Sequence, residues 1–182
     1  MVRWPWQRPP PPDWPSILLP REHDFLTLWA DSRDGAAMPV RRALPPERLA
    51  PWLGWLHLLR PEKGGRDFRY EIYSTRSFAS RPPEMTGRRV SEWQDERTAY
   101  ALDFYRQAFR TAGPVYSRSA TTPGVEWTTF SRLCVPLGEE GRITHLLTLM
   151  SERRKADAGA FDVAPVDLES ALAGYPPNEA PA

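Results

Sequence analysis

The sequence is poor in cysteine, in net charge and in long apolar runs, and each shortage excludes a class of protein. Its one cysteine, Cys134, excludes an internal disulfide and a zinc site built from several thiolates. The 24 basic and 23 acidic residues leave a formal net charge of +1, without the basic surplus that contacts to nucleic-acid phosphates require. The most apolar stretch, residues 52–59, is far shorter than the roughly 18 residues of a membrane-spanning helix. Neither a nucleic-acid partner nor a membrane partner is therefore expected.

Signals for catalysis, metal binding and export are also missing. The three histidines, His23, His57 and His145, fall on different predicted elements and show no metal-ligand spacing. No nucleophile motif of the G-x-S-x-G kind and no glycine-rich phosphate loop occurs. The chain starts MVRWPWQRPPPPDW, and its prolines interrupt any secretory apolar run. We therefore predict no catalytic residue, no metal ligand, no cofactor, and a cytoplasmic location.

Proline and tryptophan dominate the first twenty residues, which hold seven prolines and three tryptophans. This composition favours extended, polyproline-like chain. Residues 1–20 are therefore interpreted as an arm. The arm is either a disordered leader or a strap that lies on the domain or on a partner.

A helical segment is predicted over residues 21–54. Phe25, Leu28 and Trp29 have the i, i+3, i+4 spacing of one helix face. A second helix is predicted after the proline pair at 45–46. This N-terminal helical cap carries more apolar bulk than a cover for the domain needs. Phe25, Leu28 and Trp29 are therefore predicted to form an interface between two copies of the chain, as a homodimer, and a cover for their own domain alone is the alternative.

Residues 55–153 predict a core with five antiparallel strands, in an α+β fold with helices on one face of the sheet. Two strands flank a glycine turn as a hairpin. A long helix then runs from Thr98 to Gly113, and three strands follow it. Alanine and proline dominate residues 154–182, which are interpreted as a tail. The predicted strands are residues 56–59, 68–73, 115–119, 127–137 and 143–150.

Several short motifs lie in a fixed order between residues 21 and 153. They are Trp29, Met38-Pro39-Val40-Arg41, Pro46-Glu47, Leu49, Phe68-Arg69-Tyr70, Ser74-Thr75, Thr86-Gly87-Arg88, Pro136-Leu137 and Gly141. In this order they resemble a bacterial family of PAS-like domains, often free-standing and with an N-terminal helical cap. The resemblance implies a sensor or interaction module and brings no catalytic residue to this chain. Haem-binding and photoactive PAS domains use a histidine or a cysteine near the long helix, whereas His145 and Cys134 are predicted on strands here.

In a PAS-like domain the concave face of the sheet meets the long helix, which predicts a pocket between them. Thr129 and Ser131 share strand parity with Leu133, and buried hydroxyls need a partner from the backbone, water or a ligand. The predicted lining has no charged residue, so a ligand there would be a small neutral organic molecule. A filled core made of the same residues is the alternative. The predicted ligand-binding residues are Tyr70, Ile72, Leu102, Tyr105, Phe109, Thr129, Ser131 and Leu133.

These expectations combine into a non-enzymatic sensor or regulatory module. It would bind a small neutral ligand or a protein partner, and it would signal through protein contacts by shifting the balance between two arrangements of sheet and cap. Two alternatives stay open. One is a dimerisation scaffold with a filled core, and the other is a small α+β enzyme that uses Tyr105, Ser131 or His145 as acid or base.

Overall fold

The structure is a computed structural model that describes residues 12–74, 76, 84–93, 97–119, 128–154 and 161–175. Within these ranges the chain is α+β, as predicted. The helices are α1 (Trp14–Ile17), α2 (Pro20–Asp31), α3 (Arg97–Thr111) and α4 (Leu168–Leu172). The strands are β1 (Leu56–Glu62), β2 (Asp67–Ile72), β3 (Val115–Ser119), β4 (Thr128–Glu139), β5 (Arg142–Arg154) and β6 (Phe161–Pro165).

The strands form one antiparallel sheet in the order β2-β1-β5-β4-β3-β6. Two strands, a long helix and three strands follow each other along the chain, as the sequence predicted. The described residues contain six strands instead of the predicted five, because a further strand, β6, lies beyond residue 153 and pairs with β3. β6 lies in the segment interpreted as a tail. At five residues, it is too short to show a clear alternation of apolar and polar side chains.

Helices cover both faces of the sheet, whereas the prediction placed them on one face. On one face, α3 buries Phe104 and Ala108 against a cluster that includes Leu146 of β5. On the other face, α1 and α2 pack on a cluster that includes Leu147, the next residue of β5. The reason is that the central strands carry apolar side chains in both orientations, so each face needs its own cover.

The predicted interface residues pack in the core of their own chain. Phe25 and Trp29 are each 1% exposed, and Leu28 is half-buried against the same core cluster. The apolar bulk that motivated a dimer interface in α2 therefore packs against the sheet of its own chain. α1 falls in the predicted arm, and there Trp14 is buried edge-on against Tyr116, with ring centroids 5.8 Å apart. Residues 1–11 of the arm lie outside the described residues.

The second predicted cap helix is only a 3₁₀ turn over Ala50–Trp52. Prolines at 45, 46 and 51 remove backbone N–H donors, so a longer α-helix cannot form its hydrogen-bond ladder here. The turn still fixes Trp52, whose Nε1–H donates to the carbonyl oxygen of Arg21 at 2.9 Å. The loop of residues 41–54 is thereby tied to α2.

Candidate functional site

A largely apolar cavity of about 270 Å³ opens between the loop of residues 41–54 and the sheet. We call it the cap groove. Leu56, Leu58 and Leu147 line it from the sheet, and Leu44 and Leu49 line it from the loop. Its volume is close to the lower end of the range of small-molecule pockets, about 300 Å³. The groove lies on the face that α1 and α2 cover, opposite α3.

Two exposed leucine-sized side chains stand at the mouth of the cap groove. Leu53 is 53% exposed and Ile72 is 51% exposed, and both line the cavity. Among the residues that the structure describes, Leu53 and Ile72 are the large apolar side chains that are exposed to solvent. Single exposed apolar residues are ordinary, but two that converge on an apolar cavity extend it into a continuous apolar surface.

Hydrogen bonds hold the walls of the cap groove in place. The Nε1–H of Trp29 donates to the carbonyl oxygen of Pro136 at 2.8 Å, and the Gly138 N–H donates to the carbonyl oxygen of Pro39 at 3.0 Å. At the β2 side, the Ser74 hydroxyl donates to the carbonyl oxygen of Gly54 at 2.6 Å. The groove is therefore a preformed feature of the fold.

Many of the residues that carry the family resemblance meet at this groove. Those that line it are Arg41, Pro46, Leu49, Ser74 and Leu137, while Trp29 and Pro136 form one of the bonds that hold it. Their motifs are apparent in the sequence, but apart from Trp29, a predicted interface residue, none of them was predicted to belong to a site. They are far apart along the chain, so only the fold could show that they share one cavity.

The structure does not bring the eight predicted ligand-binding residues together. Tyr70 and Tyr105 are buried on the α3 face, with Leu102 and Phe109 packed against them. Leu133 lies in the cluster on the opposite face, and Ser131 contacts Glu22 of α2 there. Ile72 lies at the mouth of the cap groove, and the side chain of Thr129 is outside the described residues.

Two local features explain this correction. Leu58 pairs with Ile72 and Leu59 pairs with Tyr70, so β2 has one residue more than β1 over this interval. Such a β-bulge changes strand parity and turns Ile72 away from the face of Tyr70. On β4 the odd positions are apolar or hydroxylic and the even positions include Cys134, so the pattern did not reveal which set faces α3.

The α3 face leaves a cavity of only about 40 Å³, lined by residues that include His57, Tyr70 and Tyr105. That volume holds a few water molecules and no organic ligand of ordinary size. Arg132 also lines it, which corrects the expectation of an uncharged lining. Burial, with the positive charge of Arg132, lowers the pKa of His57 to about 3, and His57 Nδ1 accepts the Ser74 N–H at 3.1 Å.

The hydroxyl of Ser131 finds its partner within the chain. It donates to Oε1 of Glu22 at 2.5 Å and accepts from Nε of Arg153 at 3.2 Å. Glu22 and Arg153 form an ion pair with 3.0 Å between Oε2 and Nη2, and both side chains are buried. No ligand is needed to satisfy this hydroxyl.

The three residues of the enzyme alternative lie in different places. Tyr105 is on the α3 face, and Ser131 is in the buried network with Glu22. His145 is half-buried, with its Nε2 3.3 Å from Oε2 of Glu71. His145 of β5 pairs with Leu137 of β4, and Leu137 is six residues from Ser131 along β4. That separation is about 20 Å, so these residues do not form one site.

The described ranges contain no reactive thiol, no metal-ligand cluster and no helix that could cross a membrane. Burial raises the pKa of Cys134 to about 12, so its thiol stays protonated. Among the residues that the structure describes, no three His, Cys, Asp or Glu side chains converge as a metal-ligand set. The same residues include no helix of the length and apolarity that a bilayer crossing requires.

Comparison with known proteins gives a structural likeness and no match of sequence family. No family model matches the chain, and no curated protein matches it. Among solved structures, the chain is similar to the crystal structure of a sensory box sensor histidine kinase from Vibrio cholerae, at 18% sequence identity. The match covers 62% of this chain and 91% of that chain, with a TM-score of 0.42. A TM-score of this size does not establish a shared fold.

Proposed function

We propose that this chain is a non-enzymatic, PAS-like regulatory module of the cytoplasm that binds a small, mainly apolar organic molecule in the cap groove. The observation that carries the proposal is the convergence of Leu53 and Ile72 on a preformed apolar cavity. Covering them removes apolar surface from water, at about 25 cal/mol for each Å². The arrangement of strands and helices, together with the motif residues at the groove, supports the PAS-like assignment.

Ligand binding would change how the loop packs on the sheet. The groove has the loop of residues 41–54 on one side and β1 and β5 on the other, so a bound molecule contacts both. A ligand shifts a conformational equilibrium only by the difference in its affinity for the two states. An arrangement with the loop closed on the sheet makes more contacts and is therefore favoured. The bond from Trp52 to Arg21 carries the change in the loop to α2.

The test uses a neutral fluorescent probe, N-phenyl-1-naphthylamine, whose emission rises in apolar sites. Wild type is compared with the double variant Leu53→Gln, Ile72→Gln, and the matched control is Ala173→Gln, an exposed position outside the groove. We expect the double variant to weaken probe binding by about tenfold or more, and the control to bind as wild type does. Equal binding by all three proteins would refute the groove as the ligand site.

The rival functions predict other results. A dimerisation scaffold binds no probe in solution, and a second copy would cover Leu53 and Ile72 instead. Light scattering then shows a dimer for wild type and a monomer for the double variant. A small enzyme would turn over substrates in a broad hydrolase screen, which the regulatory proposal expects to stay silent.

A further inference from the structure

We propose that the ligand of the cap groove is an aliphatic carboxylate, with its chain in the groove and its carboxylate paired with Arg41. This inference rests on the proposed function, because it names the ligand class for the same site. The sequence alone predicted a neutral ligand, from a set of lining residues that the fold does not bring together. The groove that the fold does form has a different lining.

Arg41 is the charged residue among the described side chains that line the groove. It is exposed, and it lies in the 3₁₀ turn Arg41–Ala43 at the start of the loop. Within the described ranges its guanidinium makes no hydrogen bond and no ion pair. A guanidinium presents two parallel N–H donors that match the two oxygens of a carboxylate. The position and the free donors of Arg41 therefore suit an acidic group at the groove's edge.

The nearby acidic residue, Glu71, already contacts Arg60 and His145. Glu71 lies 3.5 Å from Nε of Arg60 through Oε1, and 3.3 Å from Nε2 of His145 through Oε2. Burial lowers the pKa of His145; Glu71 opposes this effect and the positive charge of Arg41 adds to it. Arg41 therefore adds positive charge to this edge of the groove, with no carboxylate of its own.

The remaining lining argues against ligands with larger polar groups. Ser74 uses its hydroxyl on Gly54 and its N–H on His57, so its donors are occupied inside the protein. The other lining residues are mainly leucines, which offer nothing to a sugar or to the several oxygens of a phosphate. One arginine and an apolar groove match one carboxylate and a hydrocarbon chain.

The test measures binding of three probes with the same chain length, at concentrations at which each stays monomeric in solution, by isothermal titration calorimetry near neutral pH. They are decanoate, decan-1-ol and decyltrimethylammonium. The variants of the full chain are Arg41→Gln and its matched control Arg42→Gln, since Arg42 is the exposed neighbour that does not line the groove. We expect wild type to bind decanoate about five- to tenfold more tightly than decan-1-ol, and the ammonium compound most weakly.

In Arg41→Gln, decanoate should bind only as tightly as decan-1-ol, whose own affinity should not change, and Arg42→Gln should behave as wild type. Added salt should weaken decanoate alone, because an exposed ion pair is screened. Decan-1-ol that binds as tightly as decanoate to wild type would overturn the carboxylate inference and leave the groove as a ligand site. If none of the three probes binds, the proposed function fails as well.

Discussion

A buried ion pair attaches the cap to the sheet. Glu22 accepts the Leu19 N–H at the start of α2, at 2.8 Å, and also pairs with Arg153 of β5. Burying two charges costs desolvation free energy, so this pair stabilises the fold only because each side chain is also hydrogen-bonded. Glu22 lies on α2 and Arg153 on β5, so the ion pair links the helix directly to the sheet. The pair therefore fixes where the cap sits.

His57 makes the stability of the fold depend on pH. Its pKa is lowered from 6.5 to about 3 in the folded chain, mainly by burial. Between these two values the unfolded chain binds a proton that the folded chain does not, so the free energy of unfolding falls as pH drops through this window. The effect reaches about 1.4 kcal/mol for each pH unit.

The measurement is urea unfolding at several pH values, for wild type and for His57→Asn, whose side-chain oxygen can accept the Ser74 N–H in place of Nδ1. Carboxylates contribute to both proteins, so the difference between the two curves isolates the histidine. We expect that difference to change steadily below pH 6.5 in favour of the variant. A constant difference across the window would contradict a neutral buried His57.

At the scale of elements, the turn between β1 and β2 packs directly on α3. A Cβ built on Gly65 would lie 2.3 Å from Cδ1 of Phe109, whereas one on Gly64 would meet nothing within 4 Å. Both glycines have positive φ, +79° and +67°, so alanine is strained at either position. Gly65→Ala should therefore destabilise the fold by about 1–3 kcal/mol more than Gly64→Ala, because only the former overpacks. Thermal unfolding of the two variants measures this difference, and equal losses would show that the hairpin does not press on α3.

Elements with a clear period could be predicted from the sequence, while their orientation could not. The β1–β2 hairpin and α3 follow from alternation around a glycine turn and from an apolar helix face, and both are present. The face of β4 that contacts α3 was predicted wrongly. Both faces of this strand are buried, so the polarity of its side chains does not distinguish them. The cap groove was missed because its walls come from a loop with no period, brought to the sheet by long-range bonds such as Trp29 to Pro136.

For the molecule as a whole, the two covers of the sheet have different roles. The α3 face is filled by aromatic rings, with Tyr70 and Tyr105 6.4 Å apart between centroids and little space between them. The cap face carries the groove, because a proline-rich loop covers its β1 side in place of a helix. The proposed ligand site therefore lies on the cap face, while the α3 face is packed with aromatic side chains against the sheet.

The C-terminal segment belongs to this packing, and its removal should show it. β6 pairs with β3, the Val166 N–H donates to the carbonyl oxygen of Pro114 at 2.8 Å, and Ala171 of α4 is fully buried among α1 and α2. A chain that ends at Arg154 loses these contacts and exposes β3 as an edge strand.

We expect that chain to be less stable than the full chain by about 3–5 kcal/mol in urea unfolding, since it leaves buried apolar surface in water, and to aggregate more readily. The control ends at Tyr175, whose hydroxyl donates to Oδ1 of Asp24 at 2.9 Å. Its free energy of unfolding should equal that of the full chain. Equal stability of all three chains would mean that residues 161–175 are a passive tail. A loss confined to the shorter chain would instead make β6 and α4 structural parts of the domain, because they close the open edge of the sheet and complete the cap.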